Sequence, residues 1–267
     1  MTAGSRTPPA RVPIAVVGLA GVGAALFVVP LLALLWRTPW TDAWQALSAP
    51  EALSALRLSL VCSLSATVLS VVLGLPLAWV QARSELPGRG LLRAITMLPV
   101  VLPPVVGGVA LLLAFGRRGI VGQWLEAWFG LRLPFTLPGA VLAETFVAMP
   151  FFVLTLEGGL RSADRALEDA ARTLGATPWV VFRRVTLPLV RPSLLAGAVL
   201  SWARALGEFG ATITFAGNVP GRTQTMPLAV YVALESRPEA GIVLSVVLLA
   251  ISLAVLVALR RRWLGAA

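Results

Sequence analysis

Three ionisable side chains stand inside long apolar stretches of the chain, where a charge is costly and most often serves a function. Arg204 and Glu208 are four residues apart, which places them on one face of a helix and within reach of an ion pair. Glu144 is a second candidate partner for Arg204. An unpaired Arg204 would attract an anion, but Glu208 can neutralise it. The spacing therefore favours a structural or gating ion pair over a direct anion ligand.

Several other chemistries lack the residues that they need. The chain has no histidine and a single cysteine, Cys62, which excludes His/Cys metal sites, Ser-His or Cys-His nucleophile pairs and an internal disulfide. It has no Gly-Lys-Ser/Thr loop for cradling phosphates, so we expect no ATP hydrolysis and no bound cofactor. An intramembrane enzyme built on Glu144 or Glu208 stays an alternative, although no second acid stands at a matching depth in another apolar stretch.

Hydroxyl groups form the other set of candidate ligands. They can bind an oxyanion at low dielectric, where a dianion without donors is very costly. The alternative is that they bond their own helix or a neighbouring one, as is usual in membrane helices. The candidates are Thr212, Thr214, Ser59, Ser63, Ser65, Thr67 and Ser70.

The composition places all of these residues in a membrane protein. Hydrophobic residues make up 58% of the chain and charged residues 13%, against about 25% charged residues in an ordinary soluble domain. The net charge of +10 comes from 22 arginines, without any lysine, and 12 acids. The arginines separate apolar runs and do not cover one polar face, so the expected surroundings are membrane lipid and not nucleic acid.

Six apolar runs are long enough to cross a bilayer as helices, for which about 20 residues suffice. The third run contains three prolines and a Gly-Gly pair, which predicts a broken helix that either lines a path or packs as a kinked span. A short interfacial helix is expected around Trp124, Trp128 and Phe129, whereas 37–57 and 218–239 resemble loops. The six runs are 14–36, 58–80, 94–115, 138–156, 192–216 and 241–259.

The distribution of arginines orients the six runs. Fourteen of the 22 arginines lie in the two tails and in the loops on the same side, seven lie on the other side, and Arg204 lies within a run. The positive-inside rule then places both termini, the tail 1–13 and the loop 161–191 in the cytoplasm. The run 14–36 is longer than the roughly 15 residues of a signal-peptide core, so we expect it to be retained as an additional first transmembrane helix.

The longest polar segment has the start and stop signals of two short helices. Asp164 can cap the first helix, and Gly175 can end it in a left-handed conformation that costs glycine little. Thr177 can cap the second helix, with a proline at its first position, where no backbone N–H is needed. The Leu187-Pro188 pair is expected to end that second helix.

This segment resembles the signature loop of ABC-transporter permeases, whose pattern is Glu-Ala-Ala, three residues, Gly, nine residues, an aliphatic residue, one residue and Leu-Pro. The match departs at one position, where Asp169 stands for Glu, with Glu168 just before it. The resemblance implies that the first short helix docks into a groove on a cytoplasmic ATPase subunit. The residues that it assigns to ATPase coupling are Glu168, Asp169, Ala170, Ala171, Gly175, Ala176, Leu187 and Pro188.

Further stretches resemble the molybdate branch of these permeases. They include 206–215, Asn218, 220–225 and Pro227, and earlier in the chain 98–106 and 116–119. Sulfate and thiosulfate permeases share the Gly-Glu-Phe-Gly segment and are the close alternative, because sulfate and molybdate are both tetrahedral dianions.

The resemblance implies an all-α polytopic membrane protein with six transmembrane helices, the type I ABC importer permease fold and cytoplasmic coupling helices. The importer domain would cover 54–262 and include the coupling loop 161–191. The expected partners are a second copy of the chain, two ATPase subunits that use ATP and Mg, and an extracytoplasmic oxyanion-binding protein.

The implied function is import of molybdate, and of tungstate nearly as well, across the bacterial inner membrane by alternating access. Arg204, Glu208, Thr212 and Thr214 would then belong to the path or its gate. A channel that works without an ATPase is a further alternative, but it would leave the signature loop without a purpose.

Overall fold

The computed structural model describes residues 13–263, with side chains described up to Val257 except for Leu256. Residues 1–12 of the predicted tail and the arginine side chains at 260–262 lie outside the described part. The described residues form helices and no strand, which confirms the all-α expectation. The helices are α1 Ile14–Arg37, α2 Ala43–Ser48, α3 Pro50–Arg83, α4 Arg89–Val101, α5 Pro104–Phe115, α6 Gly122–Phe129, α7 Leu137–Ser162, α8 Arg165–Thr173, α9 Pro178–Val181, α10 Leu187–Leu206, α11 Gly210–Phe215, α12 Met226–Ser236 and α13 Pro238–Trp263.

Among residues 13–263, five helical segments are long and apolar enough to cross a membrane, and one bent pair makes a sixth. The five are α1, α3, α7, the continuous run from α9 through α10, and α13. The sixth consists of α4 and α5, which meet at a bend of 120° around Leu102 and Pro103. Consecutive prolines at 103 and 104 lack the backbone N–H groups of a continuing helix, so the predicted break in the third span is confirmed.

The second helix of the predicted hairpin does not end at Leu187 and Pro188. α9 continues through a π-helical turn, Phe182–Thr186, directly into α10. In this wider turn the Leu187 N–H bonds the Phe182 carbonyl, five residues back. The expected stop is wrong because the widened turn accommodates a proline, which has no N–H to donate, within a helix that continues.

The predicted fifth span, 192–216, is divided in two. α10 ends at Leu206, a non-helical break follows, and the six-residue α11 begins at Gly210. Hydropathy measures the polarity of side chains and not the hydrogen bonding of the backbone, so an apolar run does not indicate such a break.

Two segments that resemble loops in the sequence contain helices. The 218–239 segment holds α12, and the 37–57 segment holds α2 and the first turns of α3. α12 has 11 residues, so it falls below the length that identifies a membrane span. The predicted short aromatic helix is confirmed as α6, which carries Trp124 and Trp128.

α7 lies at the centre of the bundle and packs against α3 and α10 through small residues. Gly74 of α3 lies so close to the Phe152 ring that an added methyl group would clash, and Gly197 of α10 lies against the Phe152 carbonyl. Small residues permit such approach in a membrane, where close packing holds helices together. This core fixes the ends of α7 and α10, which the signature loop connects, and the end of α3 that packs beside them.

Candidate coupling loop and intramembrane ion pair

The predicted caps of the signature loop are present. The Asp164 carboxylate accepts a hydrogen bond from the Ala166 N–H at 2.9 Å, and the Thr177 hydroxyl accepts one from the Val180 N–H at 3.4 Å. Gly175 has a φ of +84°, the left-handed conformation that was expected at the end of α8. These local signals hold α8 and α9 in a fixed hairpin.

Two adjacent acids on α8 differ in their exposure to solvent. Glu168 is buried, whereas the Asp169 side chain is 68% exposed and pairs with Arg172 at 2.6 Å. Leu167 on this helix and Leu174, directly after its end, add exposed apolar surface. The remaining predicted coupling residues divide into exposed Ala170, Gly175 and Pro188 and half-buried Ala171, Ala176 and Leu187.

Glu168 joins three elements on the inner side of the loop. Its Oε1 accepts a hydrogen bond from Arg83 Nη2 at 3.1 Å and another from the Thr186 hydroxyl at 3.0 Å. Its Oε2 lies 3.5 Å from Arg172 Nη2. Glu168 thus links α8 to the last residue of α3 and to the π-helical turn.

A second buried acid, Glu157 of α7, lies at the same side of the bundle. Its carboxylate forms ion pairs with Arg93 Nε at 3.2 Å and with Arg161 Nη2 at 2.7 Å. It therefore ties α4 to α7. The sequence analysis does not predict Arg83 or Glu157 as a functional residue. The one feature that could have indicated them is that each is a charged residue just beyond the end of an apolar run.

The predicted ion pair between Arg204 and Glu208 is confirmed, with Arg204 Nη2 at 2.6 Å from Glu208 Oε2. The two residues do not share one continuous helix, because α10 ends at Leu206. Glu208 Oε1 also accepts a hydrogen bond from the Ala211 N–H at 2.8 Å. One carboxylate thus joins the end of α10 to the first turn of α11 across the break.

Glu144 is buried in α7 and has no ion-pair partner among residues 13–255. Its carboxylate is not at ion-pair distance from Arg204, so the suggested Glu144–Arg204 pair is absent from this part of the chain. The described residues also contain no His/Cys/Asp/Glu group arranged to hold a metal ion.

Most of the candidate hydroxyls bond within the protein. Ser59 accepts a hydrogen bond from the Met226 N–H at 2.6 Å, and Ser63 accepts one from the Trp202 indole N–H at 2.9 Å. Thr214 donates to the Gly210 carbonyl of its own helix.

Thr67 likewise donates to the Ser63 carbonyl. The hydroxyls of Thr212 and Ser70 are buried and have no partner in the described chain, while Ser65 is half-buried. Thr212 lies on α11, directly after the ion-paired break, whereas Ser70 lies on the packing face of α3.

Comparisons with known proteins connect this geometry to a family. Residues 70–266 match the family described as binding-protein-dependent transport system inner membrane component. The chain is 45% identical over 247 residues, 92% of each chain, to the molybdenum transport system permease protein ModB of Mycobacterium tuberculosis. It is 37% identical over 230 residues, 84% of this chain and 83% of the relative, to the sulfate transport system permease protein CysT of Escherichia coli.

A solved structure shares the fold. The crystal structure of a bacterial ABC transporter involved in the import of the acidic polysaccharide alginate aligns with a TM-score of 0.68 at 20% identity, over 93% of this chain and 94% of that chain. The expected importer permease fold is thereby confirmed, and the described part of the chain has up to six crossings when α4 and α5 count as one. The chain belongs to the family of binding-protein-dependent transport system inner membrane components.

Proposed function

We propose that the chain is the permease subunit of an ATP-driven importer that moves molybdate, and tungstate nearly as well, into the cytoplasm. The observation that carries the proposal is the 45% identity to a molybdenum permease over 92% of both chains. A sulfate permease is the second candidate, because a sulfate relative is 37% identical over 84% of the chain.

The proposed complex contains two copies of this chain, two cytoplasmic ATPase subunits and one extracytoplasmic binding protein. The exposed face of α8, with Asp169, Leu167 and Leu174, suits docking against the ATPase. ATP and Mg belong to that partner, so this chain is a translocation subunit and not an enzyme. Closure of the ATPase pair would draw the two α8 helices together and rock the bundle between inward-open and outward-open states.

The path need not bind the anion tightly. A dianion at low dielectric requires donors, but a path that held it firmly would not release it. Thr212 suits a weak contact, because its buried hydroxyl has no partner in the described chain and lies beside the Arg204–Glu208 break. Selection between oxyanions would then reside mostly in the external binding protein.

The proposed orientation places α8 and both termini in the cytoplasm of the bacterial cell. We expect a cysteine at position 172, in a variant with Cys62 replaced by alanine, to react with a membrane-impermeant maleimide only in inside-out vesicles. A cysteine at position 121, before α6, is the matched control and should react only in intact spheroplasts. Labelling of position 172 from the outside would contradict the orientation.

The substrate is tested with the permease, the ATPase and the binding protein reconstituted in liposomes. We expect ATP-dependent uptake of labelled molybdate, with unlabelled tungstate competing nearly as well and sulfate competing weakly. Liposomes without the binding protein are the control, because a path with weak affinity should transport little. Sulfate uptake that molybdate does not inhibit would transfer the assignment to the sulfate branch.

A further inference from the structure

We propose that Arg83, Glu168 and Thr186 form a strut that transmits the movement of α8 to two membrane spans. The inference rests on the proposed function, since it assigns positioning residues for coupling to the ATPase. Arg83 is the last residue of α3, and Thr186 is the last residue of the π-helical turn that leads into α10. Glu168, between them on α8, accepts a hydrogen bond from each at 3.1 Å and 3.0 Å.

The electrostatics make this strut a firm contact. The side chains of Arg83 and Glu168 are only 7% and 4% exposed, so water screens their attraction little. Arg83 Nε and Nη1 have no hydrogen-bond partner in the described chain, which leaves Glu168 as the main compensation of a buried guanidinium. Arg172 lies at 3.5 Å on the exposed side and adds a weaker contact.

The strut gives α8 an inner anchor opposite its outer face. Asp169 is the next residue and is exposed, whereas Glu168 is the one buried residue of this nine-residue helix, so adjacent positions of α8 meet solvent and the bundle. Force applied to the outer face therefore reaches α3 through Arg83 and α10 through Thr186. Apart from this strut, the backbone joins α8 to α7 at 163–164 and to α9 at 174–177.

α3 and α10, which follows Thr186, also carry the far end of the path. α3 packs along α7 and α10, and α10 ends at the Arg204–Glu208 ion pair. A rigid connection at Glu168 therefore links the ATPase side of the protein to the break between α10 and α11 through continuous helices. A physical connection between two sites does not by itself establish that they are energetically coupled, so the coupling has to be measured.

The test measures uptake and ATP hydrolysis together in liposomes that contain the full complex. For Glu168→Gln we expect the number of molybdate ions imported per ATP hydrolysed to fall about tenfold, the scale of a typical coupling free energy. The variant should still co-purify with the ATPase, since Asp169 and the exposed leucines remain. Arg83→Gln should give the same loss.

Glu157→Gln is the matched control, because it removes another buried, ion-paired acid at the same side of the bundle without touching α8. It should lower the thermal unfolding midpoint of the complex but leave the ions imported per ATP unchanged. If the Glu168→Gln permease does not assemble with the ATPase, the double variant Arg83→Gln/Glu168→Gln is used in its place. It leaves no unpaired buried charge, so it should assemble, but its transport should remain uncoupled from ATP hydrolysis.

An unchanged ratio in the assembled Glu168→Gln or double variant would overturn the strut, as would an equal drop of the ratio in Glu157→Gln. The wild-type complex separates this failure from that of the proposed function. If wild-type liposomes import no oxyanion at the expense of ATP, the proposed function fails, whereas coupled import that these variants leave unchanged refutes only the strut.

Discussion

Glu208→Gln is expected to lower the free energy of unfolding by roughly 1–3 kcal/mol and to reduce transport strongly, because it leaves Arg204 without its counter-charge. Glutamine keeps an oxygen for the Ala211 N–H, so the change removes the charge and spares the hydrogen bond that begins α11. The range lies below that of a fully buried pair because the Arg204 side chain is 27% exposed.

The double variant Arg204→Gln/Glu208→Gln is the essential comparison. It removes both charges, so it should be more stable than the sum of the two single variants predicts, with a coupling energy of about 0.5–3 kcal/mol. The measurement is thermal unfolding of the purified complex in detergent, accompanied by molybdate uptake in liposomes. Effects that simply add would mean that the pair at 2.6 Å contributes nothing specific.

Glu144→Gln is a useful third variant. Glu144 is buried in α7 and has no ion pair in the described part of the chain. If Glu144 approaches Arg204 when Glu208 is absent, combining Glu144→Gln with Glu208→Gln will increase the loss beyond that of Glu208→Gln.

Gly108→Ala is expected to lower stability by about 1–3 kcal/mol, the usual cost of overpacking. A Cβ atom at Gly108 would lie 2.6 Å from Thr214 Cβ and 3.0 Å from the Ala211 carbonyl oxygen. The backbone oxygen cannot rotate away, so α5 would have to separate from α11. Because α11 carries Thr212 and begins at the ion-paired break, uptake should fall together with the unfolding midpoint.

The neighbouring glycine gives a matched control for this effect. A Cβ atom at Gly107 would lie 3.1 Å from Phe146 Cε1, the far end of a side chain that can shift. Both substitutions gain the same helix propensity, about 1 kcal/mol for alanine over glycine, so their difference isolates the contact with α11. Gly107→Ala should keep stability and uptake near wild type. Equal losses in the two variants would show that close approach of α5 to α11 is not the cause.

The sequence alone determined the features that depend on neighbouring residues. Apolar run length predicted the spans, because a helix in lipid must be apolar over the bilayer thickness. Asp164, Gly175 and Thr177 predicted the ends of the coupling helices, since caps and left-handed turns are set by a few adjacent residues. The spacing of Arg204 and Glu208 predicted their ion pair, although the helix expected to carry both residues ends between them at Leu206.

The tertiary structure decided what depends on residues far apart in the chain. The composition of the signature loop does not distinguish Glu168 from Asp169, and only the approach of Arg83, 85 residues away, places one acid inside and leaves the other at the surface. Ser59 and Ser63 of α3 likewise gained partners from distant segments, the Met226 N–H and the Trp202 indole N–H. The break at Gly207–Phe209 and the helix that continues past Pro188 also required packing, because hydropathy records the energy of transfer into lipid and not the pairing of backbone groups.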